Sequence, residues 1–160
     1  MGDLDVTKML TAMCRAAERR NGQAFASYFA EDGVYHDDFY GDFAGRERIA
    51  ELINDFFHRD GRLYRWDMID PVLQGERLYV RYIFSWNSNL PEADGARSMF
   101  EGVSIMTLRG REILEYREVA STGTAFTDMN FNPERIFKIL SRKAAKLRAR
   151  PEAQPHLTAP

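Results

Sequence analysis

From Leu63 onward the apolar residues recur at every second position, in four successive segments: Leu63 to Leu73, Arg77 to Asn87, Ser98 to Leu108 and Glu112 to Ala120. A period of two is the alternation of a strand that buries one face. The last two segments are joined by Arg109-Gly110-Arg111, short enough for a tight hairpin turn. The loop from Asn89 to Gly95 carries the Pro, Asp and Gly of a surface connection. The chain is therefore committed to a long antiparallel meander over its second half, and whatever precedes it must cover one face of that sheet.

What precedes it is mostly helical in pattern. Val6, Met9, Leu10, Met13 and Ala17 repeat at helical spacing after Asp5, with Arg15, Glu18, Arg19 and Arg20 opposite them. Cys14 falls on the apolar side and is expected to be a buried free thiol. A second short helix is predicted to place Phe25, Tyr28 and Phe29 on one side and to end at Glu31-Asp32-Gly33. A strand is expected from Val34 to Tyr40, and a third helix from Gly45 carries Ile49, Leu52, Ile53, Phe56 and Phe57. After the meander, Asn132-Pro133 reads as a helix start, with a thin stripe of Ile136, Ile139, Leu140 and Leu147. The pattern divides into a domain over 1–132, a basic amphipathic helix over 133–150 and a disordered tail over 151–160, where three prolines fall in ten residues.

Charge narrows the function classes. From Pro133 on there are seven Lys/Arg against two acids, so the first 132 residues hold fifteen basic and twenty-two acidic side chains. That balance argues against a nucleic-acid-binding body. No apolar run approaches a membrane span and the opening residues lack the pattern of an export signal, so a soluble cytoplasmic protein with no membrane partner is expected. His36, His58 and His156 are far apart, and no HExxH or CxxC spacing occurs, so no metal is expected. The absence of Gly-rich phosphate loops and of a GxSxG elbow leaves acid/base chemistry without a cofactor.

Alternation puts Tyr82, Phe84 and Trp86 on one face of their strand and Phe100, Gly102, Ser104 and Met106 on one face of the next, an aromatic lining suited to a small apolar ligand. In Tyr35-His36-Asp37-Asp38, Tyr35 and Asp37 share one face and His36 and Asp38 the other, so a single pair is expected to point inward. Either His36 or a buried Asp37 could move a proton next to a carbonyl or onto a leaving hydroxyl.

The run from Tyr28 to Asp37, the Gly45-Arg46-Glu47-Arg48-Ile49 helix start, Phe100-Glu101-Gly102-Val103 and Ile113 to Val119 together resemble the nuclear transport factor 2-like superfamily, in its polyketide-cyclase (SnoaL-like) and ketosteroid-isomerase-like branch. The resemblance spans about residues 5 to 128. It implies an α+β, cone-shaped fold, with N-terminal helices packed over a curved antiparallel sheet. It places the family's general base on Asp37 or His36, and its two oxyanion donors near Met13 and Ser104, which argues against ketosteroid isomerase activity itself. It also places Tyr116 and Glu118 inward as donor or second carboxylate. The resulting expectation is a cofactor-independent isomerase, dehydratase, cyclase or hydrolase with His36, Asp37, Tyr116 and Glu118 as catalytic groups. Tyr35, Asp38, Tyr82, Phe84, Trp86, Phe100 and Ser104 would contact the ligand. The alternative is a noncatalytic small-molecule-binding or assembly module. A homodimer is expected in either case, because the convex sheet face needs cover.

Overall fold

A computed structural model describes residues 5–158. Helix α1 (Val6–Glu18) begins where the Asp5 side chain accepts the Lys8 N–H at 3.0 Å, and it buries Met9, Leu10, Met13, Cys14 and Ala17. Helix α2 (Gly22–Ala26) follows, capped by Asn21. A Cβ on Gly22 would lie 2.3 Å from the Ala50 carbonyl oxygen, so glycine is what lets this helix approach its neighbour.

Strand β1 (Phe29–Asp37) starts earlier than the sequence pattern predicts, and Phe29 belongs to it rather than to the second helix. The i, i+3, i+4 spacing of Phe25, Tyr28 and Phe29 is overridden by one backbone and one side-chain donor: the Tyr28 carbonyl accepts the Ile113 N–H at 2.9 Å, and the Phe29 carbonyl accepts Arg46 Nε at 2.7 Å. The chain turns after Asp37, not after Tyr40, into a short strand β2 (Gly41–Ala44) that pairs back on β1. The predicted third helix is one α-helical turn and a half, α3 (Arg46–Glu51), running into a π-helical segment Leu52–Phe57 and a last turn α4 (His58–Asp60).

The meander follows as β3 (Gly61–Gln74), β4 (Arg77–Ser88), β5 (Arg97–Arg109) and β6 (Glu112–Ala120), within a residue or two of the alternation in the sequence. The six strands form one sheet in the order β2-β1-β6-β5-β4-β3, antiparallel throughout except that β1 lies parallel to β6. Register shifts between Arg62 and Arg65 and between Ile69 and Val72 bend the long β3–β4 pair, as bulges do. Helix α1 closes the β3 edge with side chains: Glu18 accepts the Trp66 N–H at 2.8 Å, and Arg15 donates to the Trp66 carbonyl at 3.2 Å and to Asp67 at 2.9 Å.

Two elements beyond the meander matter for the site. A short helix α5 (Gly123–Asp128), which the sequence pattern does not reveal, buries Ala125 and Phe126. Helix α6 (Pro133–Arg148) starts at Asn132 and Pro133 as expected, yet none of its residues is buried. Ile136 and Ile139 alone of the expected stripe pack against the core, whereas Leu140 and Leu147 are exposed. Past Pro151, where disorder is expected, the chain forms a 3-10 turn (Pro151–Ala153) and a short helix α7 (Gln154–Leu157), both anchored by Gln154 Nε2 on the Arg148 and Arg150 carbonyls.

Candidate active site

The concave side of the sheet encloses a cavity of about 500 Å³, within the range of small-molecule sites. Its walls are aromatic. Trp66, Tyr82, Phe84, Trp86 and Phe100 come from three neighbouring strands, and the alternation of each strand sends these side chains inward. Phe84 and Phe100 are cross-strand partners with ring centroids 5.5 Å apart. Phe39 reaches over from the β1–β2 turn and meets Trp86, Phe100 and Phe126 edge-on.

Among these walls stand carboxyl groups with different surroundings. Asp37, at the end of β1, is 8% exposed, and its Oδ1 accepts the N–H groups of Phe39 and Tyr40, each at 2.9 Å. This Asx-type bond stops the strand and shapes the turn. Burial pushes the Asp37 carboxyl up to about 6, against the pull of those two amides. Glu118 on β6 is half-buried and lines the cavity; its Oε2 accepts the Tyr82 hydroxyl at 2.6 Å. Burial, and then the charge of Asp37, push Glu118 up to about 8. Burial first, and then the Glu118 charge, hold the Tyr82 phenol far above its ordinary range, so it stays a donor.

The other two lining carboxylates are engaged. Asp38 pairs with Lys143 of α6 and accepts the Thr122 hydroxyl at 2.8 Å. Asp60 accepts the Tyr40 hydroxyl at 2.8 Å and pairs with Arg59, which holds it below the usual carboxylate range.

The four residues expected to be catalytic are thus not brought together. Tyr35 and Asp37 point inward, so His36 is on the outer face, where Nδ1 lies 2.7 Å from Asp42 and Nε2 lies 3.3 Å from Glu115. It does not line the cavity. Tyr116 is fully buried behind the lining, its ring stacked on Tyr35 at 4.2 Å, and it shares a 2.6 Å hydrogen bond with Ser104. That stack seals both Tyr116 and Ser104 away from the cavity, whereas Asp37 and Glu118 do line it.

Tyr35, Tyr82, Phe84, Trp86 and Phe100 line the cavity too, as does Asp38, which follows the strand's last residue and so escapes the alternation that would have turned it outward. The sequence reading missed Tyr64 and Trp66, although they stand two residues apart on the inward face of β3. It also missed Phe39, Tyr40 and Asp60, whose positions depend on a turn and a helix end. The lining contributed by α6, which includes Arg135, Arg142 and Lys146, depends on tertiary docking that no local pattern encodes.

This arrangement has known relatives. The family model described as a SnoaL-like domain matches residues 10–116, so the chain belongs to that family, within the nuclear transport factor 2-like superfamily. Among curated proteins none matches. Solved structures show the same fold. One is a protein of ketosteroid isomerase-like fold from Catenulispora acidiphila in complex with trimethylamine, 19% identical, covering 79% of this chain and 98% of that one, with TM-score 0.67. Another is an LEH-like epoxide hydrolase from M. tuberculosis, 12% identical over 86% and 95% of the two chains, with TM-score 0.62. A third is TerC co-crystallised with polyporic acid, 15% identical over 77% and 96%, with TM-score 0.64. Among the described residues no helix is long and apolar enough to cross a membrane.

Proposed function

We propose that the protein is a cofactor-independent acid/base enzyme acting on a small, largely aromatic or apolar molecule held in the sheet cavity. The observation that carries this reading is the pair Asp37 and Glu118 in one aromatic cavity, with environments that push the second carboxyl further up than the first. Near neutral pH, Asp37 is the ionised member and Glu118 the protonated one, which is the division of labour that proton transfer requires. Asp37 Oδ1 is taken by the turn amides, so Oδ2 is the oxygen left to accept a substrate proton. Glu118, oriented by Tyr82, returns a proton to the substrate oxygen or leaving group. The crystallised complexes of fold relatives with trimethylamine and polyporic acid support a small-molecule site here.

Proton abstraction is tested by incubating the protein with a panel of aromatic ketones in heavy water and following deuterium uptake at the carbon beside the carbonyl. The reading expects uptake that drops by roughly a hundredfold or more in Asp37→Asn. Undiminished uptake in that variant would remove Asp37 as the base.

The Asx-type bond from Asp37 also fits a second reading, a noncatalytic binding module in which Asp37 merely shapes the turn. Saturable ligand binding with no product after long incubation would favour it. A homodimer is proposed in either case, on the outer sheet face where Tyr79, Met99, Val103 and Val119 are exposed together. Sedimentation equilibrium at the mass of one chain would exclude it.

A further inference from the structure

Helix α6 crosses the cavity mouth: Arg135, Ile139, Arg142, Lys143 and Lys146 border the cavity, with Arg142 and Lys146 exposed at its rim, while Phe137 faces solvent at 75% exposure. Two of these cations are already matched, Lys143 by Asp38 and Arg135 by Glu92. Arg135 also lies over the Phe131 ring at 3.6 Å. Among the described residues, the side chains of Arg142 and Lys146 have no ion pair or hydrogen bond. They sit four residues apart on one helix face, a like-charge spacing that disfavours the empty protein.

No lining carboxylate is paired with either of them. Asp38 pairs with Lys143 and Asp60 with Arg59, while Asp37 and Glu118 have their hydrogen bonds to the turn amides and to Tyr82. The cavity therefore has an aromatic body, a proton-transfer pair and two unmatched cations at its rim. A neutral ligand would use the first two features and leave the third unmatched.

We propose, on the reading that this cavity is the substrate site, that the substrate is amphipathic, with an oxyanion group held at the mouth by Arg142 and Lys146 and an aromatic or apolar body inside. A carboxylate, sulfonate or phosphate shares the required chemistry. Held in this way, the charged end stays in water and the apolar end is directed toward Asp37 and Glu118.

A matched pair of fluorescent dyes, anilinonaphthalene sulfonate and neutral phenylnaphthylamine, tests this without knowledge of the substrate. The sulfonate dye is expected to bind about tenfold more tightly, to be displaced by the neutral one, and to lose its advantage as salt screens the rim. The double variant Arg142→Ala/Lys146→Ala should bind the two dyes alike. Lys138→Ala/Arg148→Ala, which removes equal charge from α6 away from the cavity, should keep the preference.

Equal affinities in the wild type, or loss of the preference in both double variants, would overturn the charge selection and leave the acid/base reading standing. Failure of both dyes to bind would remove the cavity as a ligand site, and both readings with it. Co-sedimentation with anionic phospholipid vesicles that is lost in Arg142→Ala/Lys146→Ala would assign the two cations to a lipid surface and overturn the proposal.

Discussion

Tyr82 donates its hydroxyl to Glu118 Oε2 at 2.6 Å, across the strand that separates β4 from β6. The bond fixes the orientation of the one carboxyl in the cavity that burial pushes furthest up. It also lowers that carboxyl's pKa, since a phenol stabilises the charged form.

Rate should therefore follow a bell-shaped pH profile, rising as Asp37 loses its proton and falling as Glu118 loses its own. The two limbs belong to the pair as a unit. In Tyr82→Phe the stabilising donor is gone, so the alkaline limb should move to higher pH; a pH–rate series measures it. Movement to lower pH would contradict the role of Tyr82.

Stability should depend on the same two groups. Their folded values lie above those of the unfolded chain, so the folded state binds more protons between about pH 4 and pH 8. The contribution is complete below the unfolded values and is lost as pH rises through the folded ones. Glu118→Gln should flatten this fall and gain about 2 kcal/mol at the alkaline end, measured by urea unfolding across pH. A variant whose stability falls as steeply as the wild type would show that Glu118 is not the group responsible.

Gly102 makes room for Tyr82. A Cβ at this position would lie 2.7 Å from the Tyr82 hydroxyl and 2.8 Å from the Ala120 Cβ, so Gly102→Ala should cost about 1–3 kcal/mol and displace the Glu118 donor. The predicted signature is lower urea stability together with an alkaline limb moved in the direction of Tyr82→Phe.

His36 serves as a control from the other face of β1. Its partners Asp42 and Glu115 are on the outside of the sheet, so His36→Ala should leave turnover within about twofold and cost under roughly 1 kcal/mol. A large loss of rate would place the imidazole in the chemistry after all.

The fold is legible because alternation over β4 and β5 is long, and one-sided burial fixes register over such lengths. Phe29 was misplaced because its helical spacing with Phe25 competes with a parallel pairing to Ile113, a contact 84 positions away that no local window contains. Within the site, alternation correctly split Tyr35 and Asp37 from His36, but only the structure shows which pair faces inward. Tyr116 was placed on the right face and still missed the cavity, because Tyr35 stacks over it. The basic side of α6 reads in sequence as a solvated surface, since its stripe of apolar residues is thin and nothing local shows that the helix crosses a cavity mouth.

The most direct test of the paired carboxyls needs no substrate: an NMR titration of isotope-labelled side-chain carboxyl carbons, assigned with Asp37→Asn and Glu118→Gln. The account predicts two transitions well above the ordinary carboxylate range, near about 6 and about 8, the upper one absent in Glu118→Gln. Both groups titrating near about 4, as free carboxylates do, would contradict it.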